Sequence, residues 1–183
     1  VAAAGVPVLL EATLDKGSYE DEYTGATLPL RSRLRSVQRV EPNATVTGYI
    51  TPFTEIAVRR AATASTGLTQ ASVDDAMNLV ARAYGLSDLR RERPADPTRG
   101  TSWASGSAGA RKQGLALAAV SAMVSQQITT AAQPALQGTL QALSTTAFMP
   151  DLASGVQATY LAAVRAFAAS ARNATGLSAD AAV

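Results

Sequence analysis

The residues able to do chemistry in this chain are few and of a restricted kind. There is no Cys and no His among its 183 residues. Without Cys, disulfides, thiolate nucleophiles, iron–sulfur ligands and structural Zn–Cys sites are gone. Without His, the commonest general base, the usual catalytic Zn ligand and the His-dependent Ser triad go too. Covalent c-type haem attachment needs both and is excluded. Carboxylate pairs, Lys or Tyr chemistry and oxygen-ligand metal sites remain. Asp15, Glu20, Asp21 and Glu22 form an acidic cluster that could offer Ca²⁺ several oxygens from one loop. Their spacing matches no EF-hand pattern, so the cluster reads as a solvated acidic loop. No two acids are placed as a general acid/base pair. The expectation is a protein that is not an enzyme, with no catalytic residue, no metal ligand and no cofactor.

The basic residues are more organised. Arg31, Arg33 and Arg35 alternate, which puts them on one face of a strand. Two readings stand level. The face could meet Asp21 and Glu22 of this or a neighbouring chain, setting the register of an interface. It could equally keep an edge strand from pairing wrongly. A second basic group, Arg90, Arg91, Arg93 and Arg99, precedes the only Trp, Trp103. Trp and Arg dominate binding hot spots, so this segment is the candidate for a glycan or protein contact, beside the plainer reading of a mobile loop. Ser105-Gly106-Ser107-Ala108-Gly109 is a Gly-rich helix entry that could hold an anion, but it lacks the Lys and spacing of a P-loop and reads as a flexible entry. Met77, Met123 and Met149 read as packing residues. Asn43-Ala44-Thr45 and Asn173-Ala174-Thr175 match the glycosylation pattern, which is short and carries little weight. A net charge of +2 and the lack of interleaved aromatics argue against a nucleic-acid partner.

The elements that must position these residues follow from periodicity. Val6, Val8, Leu10, Ala12 and Leu14 alternate as a strand; Asp15–Ser18 is a turn; residues 19–27 read as an acidic loop or irregular strand. Leu28, Leu30, Ser32 and Leu34 alternate against the arginines as a second strand, and Ala44–Ile50 is a third, after a turn at Glu41-Pro42-Asn43. Three strands with short turns predict an antiparallel meander over residues 1–50. Residues 51–183 predict a bundle of about five helices. Thr51 caps the first, with Pro52 at its first position, Glu55 in the first turn and Gly67 as the C-cap. The second follows Thr69 or Ser72, puts Asp74 and Asp75 in its first turn, buries a stripe of Val73, Ala76, Met77, Val80 and Tyr84, and ends at Gly85. Residues 86–107 are a long connection, of the kind that is functional or mobile. Helices over 107–127, 133–145 and 151–173 follow, the first apolar almost all round and therefore central. Asp151 and Gly176 read as the caps of the last, and residues 178–183 as frayed. The fold class is α+β, mainly α. With 47% hydrophobic and 16% charged residues, against roughly 25% charged in ordinary proteins, the chain can bury a real core beneath a weakly charged surface. The longest apolar run, 114–124, is too short to span a bilayer.

The segment Thr47-Gly48-Tyr49-Ile50-Thr51-Pro52-Phe53-Thr54-Glu55-Ile56-Ala57-Val58 resembles a strand-to-helix junction in a helical module of β-proteobacterial secreted proteins and lipoproteins. In that family the module follows an Ig-like or carboxypeptidase-regulatory-like β-domain. Val8-Leu9-Leu10-Glu11-Ala12 looks like a late sandwich strand of that arrangement. Residues 113–121 look like its Ala/Leu-rich helix, and Asn173-Ala174-Thr175-Gly176-Leu177 looks like its closing turn. Two features depart from the family pattern: most of the preceding sandwich is absent, and the Arg-rich strand stands where a small neutral strand is usual. The resemblance implies an exported, surface-associated, non-enzymatic part, in the periplasm or outside a Gram-negative cell, and carries over no catalytic residue.

These readings converge on a structural or assembly module. Its 1–50 region, as the last strands of an incomplete sandwich, would be completed by a second copy in an oligomer or polymer, or by an upstream β-domain of the same parent protein. The alternative is a surface module that binds a glycan or protein through the 86–105 loop.

Overall fold

A computed structural model describes residues 7–12, 17–30, 33–39, 45, 47–127, 135–148 and 154–181. The protein is mainly helical α+β: four short antiparallel strands in two small sheets, then six helices.

β1 (Pro7–Ala12) and β4 (Leu34–Arg39) form one ribbon, paired from Pro7 opposite Arg39 to Ala12 opposite Leu34. β2 (Ser18–Glu20) and β3 (Thr27–Pro29) form a second, with Tyr19 opposite Leu28. The expected meander is thereby corrected in three places. The acidic stretch over 19–27, expected as a loop or irregular strand, is the turn of a hairpin with the strand residues that flank it. The second strand is split into β3 and β4. Residues 45 and 47–50 are not strand; the turn at 41–43 lies outside the described residues. The physical reason lies at Asp21. Its backbone N–H donates to the Ala26 carbonyl at 2.9 Å, and Gly25 donates back to the Asp21 carbonyl at 2.7 Å. Gly25 takes φ +74°, a conformation only glycine reaches without strain, and the chain reverses there.

α1 (Pro52–Ala62) starts as expected. Thr51 accepts from the Thr54 N–H, the Thr54 hydroxyl closes a capping box, and Pro52 opens the helix. It ends at Thr63, four residues before Gly67. α2 (Gln70–Ala83) is capped by Thr69, with Ser72 completing its capping box. Asp74 therefore lies beyond the first turn, which holds no acid. Val73, Ala76, Met77 and Val80 are buried as the stripe predicts. α3 (Gly100–Ser105) is a short helix inside the long connection. α4 (Ala108–Gln127) is the central helix: Ala116, Ala119, Val120, Ala122 and Met123 are buried, and it packs chiefly on α6 (Ser154–Ala168) and α5 (Ala135–Phe148). The Ala-rich faces let these helices approach closely. β4 packs on α1, and α1 on α2. Phe53 of α1, Tyr84 at the end of α2 and Tyr160 of α6 pack with tilted rings, their centres 5.0 and 5.5 Å apart, and the Tyr84 hydroxyl donates to the Leu143 carbonyl of α5 at 2.7 Å. These rings tie four helices together. Asp151, the predicted cap of α6, lies outside the described residues. Residues Ala179–Ala181 form a 3₁₀ turn. No helix among the described residues is long and apolar enough to cross a membrane.

Candidate functional site

Among the described residues, the arginine strand and the acidic cluster do not meet. Arg35, on β4, turns towards α1 and grips Glu55: Nε to Oε2 at 2.9 Å and Nη2 to Oε1 at 2.9 Å. Arg59, one turn further along α1, donates to Glu55 Oε1 at 2.7 Å. Glu55 is 1% exposed. The Thr54 hydroxyl donates to the Arg35 carbonyl at 2.8 Å, so the strand's main chain and side chain are both held by consecutive residues of α1. The bidentate geometry is the strong form of a carboxylate–guanidinium pair. Arg35 is thus an internal joint, not a free interface residue. Arg33 is exposed and pairs with Glu11 of β1 at 3.1 Å. Arg31 lies outside the described residues.

The acids divide in the same way. Asp21 is fully buried. It accepts the Ser121 hydroxyl of α4 at 2.6 Å, and the Thr24 N–H and hydroxyl at 2.7 Å each. The Tyr23 N–H donates to Ser121 at 3.3 Å. The β2–β3 turn is therefore docked on the central helix through one Asp and one Ser, which corrects the reading of Asp21 as part of a solvated loop. Glu20 pairs with Arg172, and with Arg99 at 4.0 Å. Asp15 lies outside the described residues. Glu22 is half-buried on the wall of two cavities of about 220 Å³ each. Burial first, then the adjacent Asp21 carboxylate, pushes its carboxyl above the ordinary value, against the pull of its own backbone N–H. Among the described residues, no three acids gather in a way that could hold a metal ion.

The 86–107 connection is packed rather than loose. Leu89 and Ala95 are buried, the Ala95 N–H donates to the Ala110 carbonyl at 2.9 Å, and the Ala174 N–H donates to the Pro97 carbonyl at 2.9 Å. Gly114 makes this approach feasible: a Cβ there would overlap the Ala95 carbonyl oxygen. Arg90 is held by Asp74 at 2.6 Å, and Arg99 by Asp96 at 3.1 Å. Arg91 and Arg93 are exposed. Trp103 is half-buried on α3, and its carbonyl and that of Ala104 accept from Arg111 at 2.8 and 2.7 Å. The anion position at the α4 N-terminus is already filled. The Glu92 carboxylate accepts the hydroxyls of Ser87 and Ser107, with the Ala110 N–H behind them, and these donors hold it below the ordinary carboxylate range. An open groove of about 700 Å³ runs past Arg93, Arg99, Ser102 and Ser105; Trp103 does not line it.

The two other motifs of the resemblance are joints as well. Asn173 Nδ2 donates to the carbonyls of Ala168 and Leu177 at 2.7 and 2.8 Å, while its Oδ1 accepts from the Thr175 N–H at 2.9 Å and from the Thr175 hydroxyl. That closes the chain after α6 and engages the amide a glycan would need. The apolar 113–121 segment is the buried heart of α4.

Two residues were under-read from sequence. Glu55 is a first-turn acid that lies on the helix face away from Phe53, Ile56 and Ala57, so periodicity does not announce its burial; the packing of β4 on α1 does. Ser121 interrupts the apolar run 114–124, and a lone hydroxyl on such a helix signals a buried partner. No protein-family model, no curated protein and no solved structure matches the chain.

Proposed function

We propose that this chain is a non-catalytic structural module of a bacterial secreted or cell-surface protein, which joins a second subunit by adding a strand along the outer edge of β1. The observation that carries the reading is the state of β1. Among the described residues β1 pairs only with β4; Val8, Leu10 and Ala12 are half-covered, and Leu9 is 43% exposed. A two-stranded ribbon with an open apolar edge is a template for β-augmentation. The fate of the polar residues supports the absence of catalysis: Glu55, Asp21, Glu92 and Asn173 each hold a joint. The strand-to-helix junction, the α4 segment and the closing turn that resemble the exported β-proteobacterial module support the location. Light scattering on a sizing column tests the assembly. The wild type is expected to associate with rising concentration, and Leu9→Lys to remain a monomer with unchanged circular dichroism. A wild type that stays monomeric at high micromolar concentration sinks the second-subunit version and leaves the preceding β-domain of the parent protein as the strand donor.

A second reading has its own support. The groove beside Arg93 and Arg99 is lined by hydroxyls, guanidinium groups and the Glu92 and Asp96 carboxylates, a polar mixture that suits a glycan or protein contact. Loss of cell-surface or glycan binding in Arg93→Ala would favour it. Unchanged binding there and in Trp103→Ala would end it.

A further inference from the structure

The cavity beneath the β2–β3 hairpin stands apart from the β1 edge and from the 86–107 groove. It measures about 220 Å³. An apolar cavity of about 150 Å³ suffices for benzene, so this one has room for an aromatic ring with a short arm. Leu30, Leu117, Val120 and Val124 supply apolar wall, and Tyr19 and Glu22 supply polar groups. The acids around it are held in different ways. Asp21 accepts three hydrogen bonds. Glu20, at the rim, has Arg172 and Arg99. Asp96 has Arg99. Neither Asp21 nor Glu22 has an ion-pair partner among the described residues, and of these two only Glu22 lines the cavity, its carboxylate helped by its own backbone N–H and the Ser121 hydroxyl but by no cation.

We infer that this cavity binds a small apolar molecule carrying a primary ammonium group, with the apolar part against α4 and the Glu22 carboxylate holding the cation. A half-buried carboxylate without a cation is costly, and an entering ammonium would supply the missing charge. The raised carboxyl of Glu22 agrees with that vacancy of charge. Tyr19, whose phenol is also raised by burial and by the Asp21 and Glu22 carboxylates, keeps its proton and serves as a second polar contact. A metal ion fits less well, because the wall is mostly hydrocarbon and oxygen-ligand cations need several donors at once.

The test uses the full chain and three probes of one shape: phenethylamine, phenylethanol and phenylpropionate. Titration calorimetry at neutral pH is expected to rank the amine about tenfold or more above the alcohol, since hydrogen bonds to a charged partner are the stronger kind, with the carboxylate weakest. Glu22→Gln is expected to bring the amine down to the alcohol's affinity and leave the alcohol unchanged. Methyl resonances of Leu117, Val120 and Val124 are expected to shift with the amine, which locates the site without a core substitution. Equal affinity for amine and alcohol, no binding at millimolar concentrations, or an amine preference that survives Glu22→Gln would each overturn the inference.

Discussion

Replacing Glu55 by Gln keeps the shape of the side chain and removes its charge from between two guanidinium groups. The structure sets the scale. Glu55 is 1% exposed and accepts three hydrogen bonds of 2.9, 2.9 and 2.7 Å from Arg35 and Arg59. Removing one partner of a fully buried pair costs about 3–5 kcal/mol. Here the two arginines keep 19% and 25% of their side chains exposed, so each can turn partly to water and recover some hydration. The expected loss is therefore about 2–3 kcal/mol, less than for a sealed pair. For a chain of this size that corresponds to a fall in Tm of about 4–12 °C. Urea denaturation followed by circular dichroism would read it as a lower midpoint at unchanged slope. The double variant Arg35→Met/Glu55→Leu should recover part of the loss, because the Arg35 charge goes with its carboxylate and only Arg59, a quarter exposed, is left to turn to water. Arg33→Ala is the control: its pair with Glu11 is 60% and 27% exposed and should cost less than about 0.5 kcal/mol. A Glu55→Gln protein within about 0.5 kcal/mol of wild type, or single losses that simply add in the double variant, would refute the claim that this cluster joins β4 to α1.

Two further outcomes follow from the same physics. Gly114→Ala should destabilise by about 3 kcal/mol or more, because its Cβ would meet the backbone oxygen of Ala95, while Gly109→Ala should cost distinctly less, because there the obstacle is the movable end of Glu92; similar thermal midpoints for the two would contradict the close approach. Glu22 should give an inverted pH dependence. Its raised carboxyl means that the folded chain holds a proton where the unfolded chain has lost it. Stability from this group therefore rises as pH falls from above the folded value towards the ordinary glutamate value, and is flat below that. Glu22→Gln should remove this component and raise stability at neutral pH; identical urea midpoints against pH for wild type and variant would refute it.

The local half of the fold was legible because local rules govern it. The Thr51 and Thr69 caps, Pro52, the α2 stripe and the all-round apolarity of α4 are written in adjacent residues and need no distant partner. The β-region was read less well. Short strands are stabilised by partners far along the chain, and β1 pairs with β4 across more than twenty residues, with the β2–β3 hairpin between them. The long connection was read as loose because its composition is charged and Pro-rich. Its order depends on Gly114 and Ala110 of a later helix.

The candidate residues divide along the same line. Their types alone decided which chemistries are closed, since a missing His or Cys cannot be supplied by folding. Their roles were decided by tertiary contact. Alternation put Arg31, Arg33 and Arg35 on one face, yet Arg35 faces a buried carboxylate while Arg33 stays in solvent. Asp21 and Glu22 are neighbours in sequence, yet Asp21 found Ser121 a hundred residues away and Glu22 found a largely apolar wall and, among the described residues, no ion-pair partner. Sequence specifies charge and periodicity. Whether a charge is spent holding the fold or left to meet a ligand depends on what the rest of the chain brings within about 3 Å of it, the range at which a hydrogen bond forms.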